Sequence, residues 1–194
     1  MMAGGLRWKK EQFEEFRTRQ AAQIPKTDAV LEELRAARRG ETKGGGKVKV
    51  LAIDPGPKES AYVVFDGERV EAYGEMENGL MTIGLGNNWG QNHPNVVIEW
   101  MSGFGVPAGN DTFETCRWVG IFQQAHPGGA KLITRKKIKE HLQAVNDKFV
   151  RQALIARFGE PGKKKTPGVL YGITGHCLAA LACAVVWWDQ NVKP

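Results

Sequence analysis

Cysteine is scarce in this 194-residue chain: Cys116, Cys177 and Cys183 are an odd set with no C-x-x-C pair and no finger-like histidine spacing. A disulfide framework and a zinc finger are thereby excluded, and free thiols in a reducing compartment are expected. Long apolar runs are also missing. The longest, Cys177 to Trp188, has 12 residues, short of the roughly 18 or more that a membrane span needs. No apolar h-region opens the sequence, so no secretory leader and a cytoplasmic location are expected. The phosphate-loop spacing is absent too. GEPGKKKT (159–166) lacks the G-x-x-x-x-G-K-[ST] pattern and follows a helix rather than a strand.

What is present is a soluble balance, 42% apolar and 25% charged, with a formal charge of +6. That charge is unevenly placed. Residues 1–46 hold 10 basic and 7 acidic residues, and residues 131–165 hold 11 basic and 3 acidic. The remainder holds 6 basic and 11 acidic. An acidic body bearing one basic segment suggests a carboxylate site beside a track for a polyanion.

Residues 1–46 read as a helical N-terminal appendage ending in the Gly44-Gly45-Gly46 hinge. From Lys47 the period changes. KVKVLAID (47–54) reads as a buried strand and Asp54-Pro55-Gly56-Pro57 as a turn. SAYVVF (60–65) and RVEAYGEME (69–77) complete an antiparallel meander about an Asp66-Gly67 turn. The Gly- and Asn-rich stretch 79–94 has no clear period. NVVIEW (95–100) is apolar enough for a central strand. A helix over 112–124, a strand over 132–134, a short helix over 138–142 and a helix ending at Phe158 follow, capped by Asn146 or Asp147. A basic loop (159–168) leads to a final apolar helix from Thr174 or Gly175 to about Trp188. This order predicts an α/β domain over 47–190, a five-stranded mixed sheet flanked by helices. Trp187-Trp188, at the end of an apolar helix, reads as core or dimer surface rather than a base-stacking platform.

Two acids interrupt or end apolar strands: Asp54 closes KVKVLAI and Glu99 lies within NVVIEW. A charge there is costly unless paired, hydrogen-bonded or metal-bound. Singly, Asp54 suits turn capping and Glu99 an edge ion pair. Side by side at strand ends, the two form a hard-oxygen pair suited to Mg²⁺ or Mn²⁺.

The blocks VLAIDPGPKESAYVVFDG (50–67), VVIEWM (96–101), ETCRWVGIF (114–122), TRKKIKEHL (134–142), NDKFVRQALIARFG (146–159) and GITGHCLAALACAVV (172–186) occur in this order. Together they resemble the RuvC branch of the RNase H-like superfamily, and more closely the phage-type RuvC-like Holliday junction resolvases. The resemblance covers about residues 47–189 and leaves 1–46 outside. It implies an RNase H-like fold in a bacterial or phage-infected cell. It further implies a homodimeric, Mg²⁺-dependent endonuclease, with Mn²⁺ as an alternative, acting on four-way or branched DNA. Hydrolysis by a two-metal or metal-plus-histidine route would leave 5′-phosphate and 3′-hydroxyl ends. Asp54 and Glu99 match the first two metal acids, and His176 fills the next position, to ligate an ion or to position or deprotonate water.

One position departs from the family. The acid usual one turn after His176 is replaced by Ala179. Asp189 is roughly 20 Å further along the helix and cannot substitute; Asp147 could, although its place at a helix start favours capping. Either His176 suffices with water, or metal binding is weak, or cleavage has been lost. Phe104, in SGFGVPAGN, matches the position of the family's junction wedge, or else packs inward. Arg135, Lys136, Lys137, Lys139, Lys148, Lys163, Lys164 and Lys165 are the expected DNA contacts, sequence-independent and salt-sensitive. The competing readings are a general RNase H-like nuclease of flaps or hybrids and a junction-binding protein that no longer cuts. The domain is too short for the duplicated halves of an actin-like ATPase.

Overall fold

The computed structural model describes residues 48–101, 105 and 107–192. The expected N-terminal helices and Phe104 lie outside them. The chain divides into two units, Met1–Gly44 and Gly45–Pro194, and the second carries everything below.

Its elements run β1 (Val50–Asp54), β2 (Glu59–Phe65), β3 (Val70–Glu77), α1 (Asn78–Gly86), α2 (Asn88–Asn92), β4 (Val96–Trp100), α3 (Asn110–Ala125), β5 (Lys131–Thr134), α4 (Arg135–His141), α5 (Asp147–Phe158), β6 (Gly162–Lys163), β7 (Thr166–Pro167) and α6 (Gly175–Asn191). The five-stranded sheet has the order β3-β2-β1-β4-β5. β1 pairs antiparallel with β2, and β2 with β3, whereas β1–β4 and β4–β5 are parallel. The predicted α/β class, mixed sheet and flanking helices are all observed.

The period-2 alternation of the strands sorts their side chains into two cores. Val50, Ala52, Val63, Phe65 and Val97 join the residues of α5 and α6 on one face. Leu51, Ile53, Val64 and Ile98 join Met81 and Leu85 of α1 and Val119 and Phe122 of α3 on the other. By the same alternation Asp54 follows Ala52, and Glu99 follows Val97, so both acids belong to the face covered by α6. Every residue of α6 from Ala180 to Trp187 is buried, which explains its near-continuous apolarity.

Three local features differ from the sequence reading. The unassigned stretch after β3 is helical: Met81 and Leu85, four apart, are fully buried, a pair masked by surrounding Gly and Asn. The helix after β5 begins at Arg135, because the Thr134 side chain accepts a hydrogen bond from the Lys137 amide. The basic loop folds back as the β6–β7 hairpin, with Lys164 and Lys165 between its strands. Trp187 is buried, and Trp188 packs against Phe65 and over Gly67, so this pair serves the core.

Candidate active site

The register of β1 on β4 pairs Ile53 with Ile98, so Asp54 and Glu99 are the next neighbours along two parallel strands about 4.8 Å apart. Both side chains are mostly covered, at 14% and 9% exposure. Burial pushes the Asp54 carboxyl above its usual range, against the opposing pull of His176. Burial, and then the Asp54 charge beside it, push Glu99 up to about 7, against the pull of Arg135.

His176 enters from the first turn of α6. Its Nδ1 lies 2.9 Å from Oδ2 of Asp54, and this hydrogen bond holds the imidazole pKa above its ordinary value. The side chain is 78% exposed, and Nε2 has no partner among the described residues. Asp54, Pro57, Lys58, Glu75 and His176 line one cleft. Glu75 is reached through the sheet register, Asp54 opposite Ala61 and Ala61 opposite Glu75. It lies two strands from Asp54 on the same face, with only a methyl group between. The hairpin register carries that information; the charge pattern alone does not.

Arg135 turns into the site. Its Nη1 is 3.0 Å from Oε2 of Glu99, and its Nη2 is 2.9 Å from Oδ1 of Asp147. Lys139 reaches the same Asp147 oxygen at 3.1 Å. Asp147 is therefore not the helix cap: Asn146 accepts the hydrogen bond from the Phe149 amide. A little burial opposes it, but Lys139 and Arg135 hold the Asp147 carboxyl below the usual range. The link from Glu99 through Arg135 to Asp147 was not evident from sequence, although β5 pairing Glu99 with Ile133 places the start of α4 beside Glu99.

Of the other expected DNA contacts, Lys136 and Lys137 on α4, Lys148 on α5 and Lys163, Lys164 and Lys165 on the hairpin are exposed. Lys136 is 3.8 Å from Glu140; the other five have no ion-pair partner among the described residues. Asp189 is committed elsewhere, to both guanidinium nitrogens of Arg157 and to His141. Ala179, one turn beyond His176, supplies no donor.

Asp54 and Glu99 suit a hard divalent cation: two adjoining, largely buried carboxylates whose mutual repulsion a cation would relieve. Among the described residues no three His, Cys, Asp or Glu side chains form a ready-made metal cluster. Two carboxylates are nevertheless a common protein share for Mg²⁺, which keeps several waters and takes substrate phosphate oxygens.

The fold is that of RuvC. The Thermus thermophilus RuvC structure superposes with a TM-score of 0.55 at 15% identity, covering 73% of this chain and 95% of that one. The structure of T. thermophilus RuvC in complex with Holliday junction substrate gives 0.51 at 15% identity, covering 75% and 97%. No family model matches the sequence, and no curated protein matches it.

Proposed function

We propose that this chain is a metal-dependent, structure-selective endonuclease that resolves Holliday junctions or other branched DNA by paired phosphodiester hydrolysis. The observation that carries this reading is the adjacency of Asp54 and Glu99 at the ends of β1 and β4, with His176 bonded to Asp54. A fold shared with a RuvC described on a Holliday junction supports the choice of substrate.

Asp54 and Glu99 would hold Mg²⁺, or Mn²⁺ in its place. Such an ion supplies positive charge to the phosphate and lowers the pKa of a bound water. With Nδ1 donating to Asp54, the neutral imidazole would present Nε2 as an acceptor. Nε2 takes the proton of the attacking water as oxygen bonds to phosphorus. The P–O3′ bond breaks, and the departing oxygen takes up a proton to become the 3′-hydroxyl, leaving a 5′-phosphate. No side-chain nucleophile is required. Lys136, Lys137, Lys148 and the hairpin lysines 163–165 grip phosphates without reading sequence. A four-way junction is two-fold symmetric, so a C2 homodimer presents two matched sites.

Presenting the full chain with junction, flap and RNA–DNA hybrid substrates in Mg²⁺ tests the proposal. Paired nicks confined to the junction are expected, and equal cleavage of all three would overturn it. Ala179 favours one second reading, a junction-binding protein that no longer cuts. If the wild type and Ala179→Asp both bind junctions without cleaving in Mg²⁺ or Mn²⁺, that reading replaces the first.

A further inference from the structure

Arg135 makes one bond to each of two acids in very different settings. Glu99 is buried beneath α6, whereas the Asp147 side chain is 68% exposed. In this arrangement the guanidinium lies on Oε2 of Glu99, where it competes with any cation between Asp54 and Glu99 for the charge of that carboxylate. Two positive groups drawn to one carboxylate repel each other at a few ångströms, even at an effective dielectric of about 20. A bound cation would therefore favour withdrawal of Arg135 from Glu99. Asp147 already holds the other arm of the guanidinium, and the long, flexible stem allows withdrawal without losing that contact.

Local structure explains why the two acids flank one arginine. Glu99 pairs with Ile133 across β4 and β5, so Arg135, two residues further on, starts α4 beside Glu99. α5 opens with Asp147 directly after its Asn146 cap, which presents the carboxylate to the same α4 turn. The arrangement also solves a problem of the cation-free protein. Two adjacent buried carboxylates with no counter-charge are costly, and position 179, where a further acid would add to the demand, is alanine.

We propose that Arg135 is a gate on the Asp54–Glu99 pair and that Asp147 is the positioning residue that receives the guanidinium when a divalent cation enters. The proposal rests on the reading that this pair takes such a cation. It assigns Arg135 a role distinct from the exposed lysines, because it acts at the acids rather than along the DNA. Asp147 acts through Arg135 and need not touch the cation.

Titrating Mn²⁺ alone into the full chain, followed by loss of the free-ion electron paramagnetic resonance signal, tests this without any cleavage assay. The titration is run near pH 8.5, above the ordinary and the raised carboxylate ranges, with roughly 0.15 M salt to screen distant charges. Arg135→Gln is expected to tighten Mn²⁺ binding by about tenfold, and Asp147→Asn to weaken it by about three- to tenfold. In the Arg135→Gln background, Asp147→Asn should change affinity by less than about twofold, the signature of coupling through the arginine. Arg135→Met, which keeps the packing of the stem, should tighten binding similarly; thermal melts show which variant retains the fold. Unchanged or weaker binding in both folded Arg135 variants would overturn the gate. Equal weakening by Asp147→Asn in both backgrounds would also overturn it, making Asp147 a direct ligand. If neither wild type nor the Arg135 variants bind Mn²⁺ more tightly than Asp54→Asn, the cation reading itself fails.

Discussion

His176 and Asp54 lie 122 residues apart in the chain, and their side chains share a 2.9 Å hydrogen bond. The bond joins the tip of the central strand to the first turn of the helix that covers it. It selects the imidazole face that meets the cleft, so the acid and the histidine act as a unit rather than as two independent groups.

Loss of either acid should therefore abolish chemistry while sparing recognition. Asp54→Asn and Glu99→Gln are each expected to lower junction cleavage by at least about 1,000-fold, and His176→Ala by about 100-fold. Gel-shift affinity for the same junction should stay within about threefold of wild type. Parallel losses of binding and cleavage would place these residues in DNA contact instead of catalysis.

Salt should distinguish the lysines from the acids. Each phosphate contact contributes roughly −0.9 to the slope of log affinity against log salt concentration. Charge reversal at Lys136, Lys137 and the three hairpin lysines is expected to flatten that slope by several units, with little change in which structure is preferred. An unchanged slope would remove these residues from the interface.

Two acid-sensitive groups should shape the stability curve. Burial, with the nearby Lys49 charge, lowers His93 from 6.5 to about 4, and its Nδ1 is buried without a hydrogen bond. The unfolded chain then binds the extra proton first as pH falls. The stability contributed by neutral His93 is complete above about pH 6.5 and is lost towards pH 4, by at most about 3 kcal/mol. Chemical denaturation across this window should show the loss in wild type and a shallower one in His93→Gln.

Asp189 acts at lower pH. Burial opposes it, but Arg157 and His141 hold its carboxyl below the usual range. Its contribution is present above the unfolded carboxylate pKa and disappears as pH falls through the lower folded value. Asp189→Asn should cost about 1–3 kcal/mol near neutrality and have little effect at the acid end, measured by the same denaturation series.

The turn between β2 and β3 offers a steric test. Gly67 has φ of 93°, and a Cβ there would lie 2.3 Å from the Trp188 ring. Gly67→Ala is expected to cost several kcal/mol through backbone strain and displacement of the indole. A melting temperature within a few degrees of wild type would show that Trp188 yields easily.

The strands were legible because burial on a defined face writes a period into their residues, and the interruption of that period exposed Asp54 and Glu99. The cap at Asn146 and the glycine after Phe158 bounded α5 for the same local reasons. α1 was hidden because only Met81 and Leu85 mark its buried side. Arg135 was legible as a cation but not as a partner of Glu99, since its direction depends on β5 lying beside β4. The role of Asp147 was obscured by Asn146, an equally good cap one residue earlier. Glu75 required the full three-strand register. In each of these cases the missing information was a non-local pairing, which composition and period do not carry.

The helix that carries His176 also fills the centre of one core, with every residue from Ala180 to Trp187 buried. Architecture and chemistry therefore share a single point of failure. Detaching α6 would strip the covering from β1, β2 and β4 at the moment it removed the imidazole from Asp54. The Asp54–His176 pair therefore exists only where α6 is seated on the sheet.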